Sequence, residues 1–152
     1  MSYVDNVLQP GERVLARATI HGVIYLPGVV VLIVGMAIEL VAQQLRGVAP
    51  VLDIIALVPA VFGLVLILRA WLSQLGTEIA VTNHRVIYKS GLVSRRTVEM
   101  HVDQIESVEV DQSVLGRVFG YGDIAVHGTG EGLENIRMIG DPLTVRSAIT
   151  AR

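Results

Sequence analysis

A chain of 152 residues holds one modest domain with appendages, and its 52% hydrophobic content and mean hydropathy of +0.59 exceed ordinary soluble usage, so part of it belongs in lipid. A formal net charge of -2 and an isoelectric point near 6.0 give no bulk attraction to nucleic acid or to anionic membranes. The absence of cysteine excludes disulfides, thiolate metal sites and cysteine nucleophiles.

Residues 1–21 read as a cytoplasmic N-terminal segment. A Pro10-Gly11 turn is followed by Arg13 to Ile20, where Val14, Ala16, Ala18 and Ile20 alternate with Arg13, Arg17 and Thr19 as in a strand. So short a strand is not stable alone and is expected to pair with the C-terminal domain. Residues 22–68 read as a transmembrane helical hairpin. The spans 22–42 and 48–68 would each be roughly 31 Å long as helices, about one bilayer core, and the short polar turn around Arg46 joins them. A cleaved signal peptide is not expected, because mixed polar residues precede the first span and a second follows at once. Arg13 and Arg17 before the hairpin, and Arg69, Arg85 and Lys89 after it, place both termini in the cytoplasm. Tyr25 and Trp71 then share the inner boundary, and Pro59 is expected to kink the second helix.

Small residues recur at helical spacing on both spans, and the antiparallel register brings Gly28 to Gly63, Leu32 to Ala60, Gly35 to Ala56 and Glu39 to Asp53. The two carboxylates read as a proton- or cation-binding pair, or as groups that snorkel, pair with Arg46 or glue helices together. The nearness of the outer boundary favours the second reading.

Residues 69–76 form a short linker in which the helix runs on toward Gly76. Residues 77–152 then change to short alternating strands, at 77–82, 85–90, 95–102, 107–111, 123–127 and 135–139. Asn83-His84, Gly91 and the glycines Gly128, Gly130 and Gly132 supply turns. In the closing DPLTVRSAITAR, Asp141 reads as an N-cap and Pro142 as the first residue of a helix.

The run from Val81 to Ile139 carries TN-x-R-V-I at Thr82, Asn83, Arg85, Val86 and Ile87, and G-L at Gly91 and Leu92. It continues with I-x-x-V-x-V at Ile105, Val108 and Val110, and S-x-L-G-R-x-x-G-x-G-x-I at Ser113, Leu115, Gly116, Arg117, Gly120, Gly122 and Ile124. This pattern resembles the bacterial pleckstrin-homology (PH) membrane-protein family of the two-transmembrane-helix type, and with the hairpin it covers nearly all of the chain. The resemblance implies an α+β membrane protein: a two-helix transmembrane hairpin followed by a small PH-like β-barrel or sandwich capped by a C-terminal helix. It implies a scaffold or interaction module of the bacterial inner membrane. PH domains that read phosphoinositides use a roomy basic loop between their first two strands, and the tight Asn83-His84 turn departs from that pattern.

The residues offer little chemistry. Gly128, Gly130 and Gly132 lack the Lys-Ser/Thr pair and following helix of a phosphate loop, and His21, His84, His101 and His127 lack metal-ligand spacing. No nucleophile elbow surrounds a serine, and neither a catalytic residue nor a cofactor or metal site is expected. Arg85, Lys89, Leu92, Val93, Arg95 and Arg96 read either as a basic, apolar-tipped hairpin edge for anionic lipid or as solvated strand residues that protect a sheet edge. The leading functional expectation is a non-enzymatic module that binds copies of itself or a protein partner, with membrane lipids around it and no nucleic acid. An anionic-lipid sensor is the alternative. An oligomeric ion or proton path at Glu39 and Asp53 is a third reading, and it demands a ring of subunits because two spans cannot enclose a pore.

Overall fold

The computed structural model describes residues 3–45, 49–92, 94–129 and 133–151. The chain divides into two compact units, Gly22–Leu72 and a β-domain made of Met1–His21 with Ser73–Arg152.

The first unit is helical. A 3-10 turn at Gly22–Tyr25 leads into α2 (Leu26–Ala42), whose Pro27 occupies a first-turn position where no backbone donor is missed. The second helix, α3 (Ala49–Gly76), carries Pro59 in its interior and continues through the residues read as a linker. Both are long and apolar enough to cross a membrane: Gly22–Ala42 and Val51–Gly76 have hydropathies of 2.4 and 2.8. In each the most hydrophobic stretch is only 11% buried, the reverse of a soluble protein's core helix. Ile33, Met36, Ile54 and Val58 all stand exposed.

The β-domain contains two antiparallel sheets. One has the order β1 (Val14–Ala18), β2 (Glu78–Thr82), β3 (Arg85–Ser90), β4 (Arg96–His101), so the N-terminal strand lies against the first strand after the helices. The other is β5 (Ile105–Asp111), β6 (Tyr121–Gly128), β7 (Leu133–Gly140). An isolated bridge between Ile20 and Ile139 ties the two at one corner.

Ala16, Ala18, Ile79, Val81, Val86 and Met100 of the first sheet share one core with Ile124, Val126, Ile136 and Ile139 of the second. Helix α5 (Pro142–Thr150) adds Val145 and Ile149, one turn apart on the same face. Asp141 sits at the N-cap position of α5 but makes no side-chain capping bond. Its backbone is left-handed, with φ 50°, and its amide N–H donates to the carbonyl of Gly120.

Strand β2 is buried on both faces because a short helix, α1 (Tyr3–Val7), covers the outside of the first sheet. Val4 packs there with Ala80 and Ile87, flanked by Val7, Leu8 and Val14. The expectation of a strand at Arg13–Ile20 did not include α1, although Val4, Val7 and Leu8 have the i, i+3, i+4 spacing of a helix face.

A second overlooked helix, α4 (Val114–Phe119), links β5 to β6 and lies inside the S-x-L-G-R-x-x-G-x-G motif. Ser113 caps it by accepting a 3.0 Å bond from the Gly116 N–H, and Gly120 ends it in the left-handed conformation at φ 74° that glycine adopts without strain. A Cβ on Gly116 would lie 2.6 Å from the carbonyl oxygen of Tyr121. Much of the motif thus encodes one tightly packed turn-and-a-half of helix.

Candidate interaction surfaces

Within the helical unit, glycine permits the closest approach of the two backbones. A Cβ on Gly28 would fall 2.7 Å from Ile67 Cγ1 and 3.0 Å from the Gly63 carbonyl oxygen. One on Gly63 would fall 2.9 Å from the Gly28 carbonyl oxygen and from the Leu32 nitrogen. Gly35 faces Ala60 and Ala56, whose nearest atoms lie 3.0 and 3.3 Å from such a Cβ. Gly28, Gly35, Gly63, Ala56 and Ala60 therefore line one seam inside the hairpin. At the end of that seam nearest the connection from α2 to α3, Glu39 and Asp53 border a common groove of about 220 Å³ with Gly35, Met36, Ala56, Leu57 and Ala60. The Glu39 carboxylate accepts a bond from Gln43 Nε2 at 3.3 Å. Arg46, the proposed partner of the two acids, lies outside the described residues.

The basic hairpin edge is not one patch. Cross-strand partners share a sheet face, and Lys89 pairs with Thr97 whereas Ser90 pairs with Arg96, so Lys89 and Arg96 project to opposite faces. Lys89 Nζ sits 5.4 Å from the ring centroid of Tyr3, on the side that α1 covers. Leu92 and Arg95 are exposed, and Val93 lies outside the described residues.

Arg85 is withdrawn from the edge altogether. Its guanidinium donates to Glu12 at 2.9 and 3.0 Å, to Glu99 at 2.7 Å and to the Val7 carbonyl at 2.8 Å, and its side chain is 12% exposed. Glu12 is deeper, with a side chain 1% exposed. Burial alone pushes its carboxyl up, but bonds from Arg85, the Gln9 N–H and the Thr82 hydroxyl, with the Arg85 charge, outweigh that and hold it at about 2. The buried Thr82 hydroxyl lies 2.8 Å from Glu12 and accepts from the amides of His84 and Arg85, so the same group organises the Asn83-His84 turn. Asn83 completes it by accepting from the Arg13 N–H at 2.8 Å. This network clamps the Pro10-Gly11 turn and β1 to the β2–β3 hairpin, and its partners lie some seventy residues apart in the chain, which hid it from sequence reasoning.

The surface that sequence reasoning missed is α4. Val114, Leu115, Val118 and Phe119 are 80%, 60%, 73% and 58% exposed. Only the small Gly116 of this helix is buried, and Arg117 is its sole charge. Among the described residues no group of three or more His, Asp or Glu side chains could hold a metal ion.

No curated protein and no solved structure shows significant similarity to the chain. The family described as Bacterial PH domain matches residues 21–150, which include both apolar helices and nearly all of the second β-segment. A match over that much of its length, on a fold of two apolar helices, antiparallel sheets and a closing helix, makes the chain a member of the bacterial PH domain family.

Proposed function

We propose that the chain is a non-enzymatic interaction module anchored in the bacterial inner membrane, with α2 and α3 spanning as a hairpin and both termini and the PH-like domain in the cytoplasm. The carrying observation is the pairing of two long helices whose apolar surface stays exposed with a compact domain of a family of binding modules. In water that exposed surface would drive aggregation; in a bilayer it is the solvated state. The excess of Arg and Lys on the flanks supports that orientation.

Self-association is the activity we assign to the hairpin. Glu39 and Asp53 border a groove in an otherwise apolar segment, and polar side chains in lipid favour partners that satisfy them. The expected result is a defined homo-oligomer when the full-length protein, in a mild detergent, is measured by light scattering corrected for bound detergent. Replacing Glu39 with Gln and Asp53 with Leu should shift that population toward monomer. A monomeric parent protein would contradict self-association and direct the search to an unrelated protein partner.

A further inference from the structure

The residues of the β3–β4 hairpin read either as an edge for anionic lipid or as solvated strand residues. The structure offers a different one. Helix α4 has four large apolar side chains pointing to solvent, and the fold gives it an unusually firm base: the Ser113 cap, the left-handed Gly120, the buried Gly116, and a 3.0 Å bond from Gln112 Nε2 to the Tyr121 carbonyl. Apolar residues held outward by a rigid frame form a displayed surface, whereas a merely loose loop could fold them away.

Its position within the β-domain indicates what covers it. The chain leaves this domain at His21 and re-enters at Ser73. His21 stacks on Tyr121, the second residue after α4, with ring centroids 5.6 Å apart. The His21 N–H donates to the Met138 carbonyl at 2.6 Å, and Gln74 Nε2 donates to the Ile20 carbonyl at 2.9 Å. Both covalent crossings into the apolar helices therefore emerge at the end of the domain where β6 begins, directly after α4. The exposed Met138, in a left-handed conformation at φ 56°, adds a further apolar group at that end.

Size and charge choose between occupants. Four side chains fall far short of the roughly 800 Å² per partner that a stable protein interface needs, so α4 alone would not hold a second copy. A shallow lipid contact needs no such area when the domain is already tethered, because the tether removes the entropy cost of bringing it to the surface. Arg117, with no carboxylate on the helix, suits anionic headgroups.

We infer that α4 is an interfacial wedge: Val114, Leu115, Val118 and Phe119 enter the headgroup–acyl boundary of the bilayer that α2 and α3 span, and Arg117 meets lipid phosphates. The inference rests on reading α2 and α3 as membrane spans, and the test separates the two.

The chain has no cysteine, so single nitroxide labels can be placed by V118C, by V30C on α2 and by E106C near the start of β5, away from α4. Full-length protein goes into nanodiscs of phosphatidylcholine and phosphatidylglycerol holding one copy each, and power-saturation spectroscopy compares collision with oxygen and with a water-soluble nickel chelate. The label at Val118 should collide freely with oxygen and, as expected for a group about 5–10 Å into the boundary, roughly tenfold less with nickel than the label at Glu106. Nickel access at Val118 equal to that at Glu106, with Val30 shielded, would overturn the wedge and leave the anchor standing. Shielding of Val118 from both reagents would mean that protein rather than lipid covers α4 and would likewise overturn it. Nickel access at Val30 would overturn the spans and the wedge together.

Discussion

Replacing Arg85 with Met is expected to cost the β-domain about 3–5 kcal/mol, because it strands the Glu12 carboxylate in a buried site without its cation. The geometry makes this more than the loss of a surface pair. One guanidinium serves Glu12, Glu99 and the Val7 carbonyl, so the substitution also loosens the segment that leads from α1 to β1. Thermal unfolding of the full-length protein in detergent, followed by the β-sheet signal in circular dichroism, measures the effect. The double variant E12Q/R85M should recover part of the loss, since no charge then remains buried.

The pH dependence has a definite sign. The folded Glu12 carboxyl titrates at about 2 and an unfolded one near 4.5, so its contribution is fully present above 4.5 and is lost as pH falls through that value toward 2. That shift corresponds to about 3 kcal/mol. In R85M the buried carboxylate has lost its cation and gains from protonation, so the gap between parent and variant should narrow on acidification from neutral pH. A gap that stays constant down to pH 3 would show that Glu12 and Arg85 are not coupled.

The second large effect is expected in the helical unit. At Gly63 an added Cβ meets backbone atoms of Gly28 and Leu32 at 2.9 Å, and no side-chain rotation relieves a backbone clash. Overpacking costs roughly 1–3 kcal/mol, with G63L at the upper end and a fall of about 5–10 °C in the midpoint of helix melting in detergent. G22A, where a Cβ would meet no atom within 4 Å, should leave the midpoint unchanged. Equal melting of G63L and parent would mean that α2 and α3 do not pack along the Gly28–Gly63 seam.

Much of the architecture was legible because its signals are local. Length and apolarity marked the two helices, and alternation marked the strands; the stretch expected at 85–90 is β3 itself. Strand β2 falls within the stretch expected at 77–82, although its burial on both faces departs from the inward–outward alternation on which that expectation rested. The misses have physical causes. Helix α4 was hidden because its apolar residues face outward, so no amphipathic pattern directs it to the core. Asp141 has the chemistry of an N-cap, but its left-handed backbone comes with no side-chain capping bond. The basic edge failed as a single patch because adjacent strand positions face opposite ways, and because Arg85 has partners at Glu12 and Glu99 that only the folded chain brings to it. The exposed surface at α4 could have been suspected from Leu115, Val118 and Phe119 standing between Ser113 and Gly120, a cap and a stop that bound a helix too short to bury them.

The proposed arrangement is a hairpin through the membrane with the β-domain on its cytoplasmic side, and the cysteine-free sequence makes it directly testable. Q44C, between the spans, and E106C, in the β-domain, would be exposed in right-side-out spheroplasts to a maleimide that cannot cross membranes. For that arrangement, both proteins are expected to sediment with membranes, Gln44→Cys to react at once, and Glu106→Cys to react only after the membrane is opened. Reaction at position 106 in intact spheroplasts, or recovery of the chain in the soluble fraction, would contradict it.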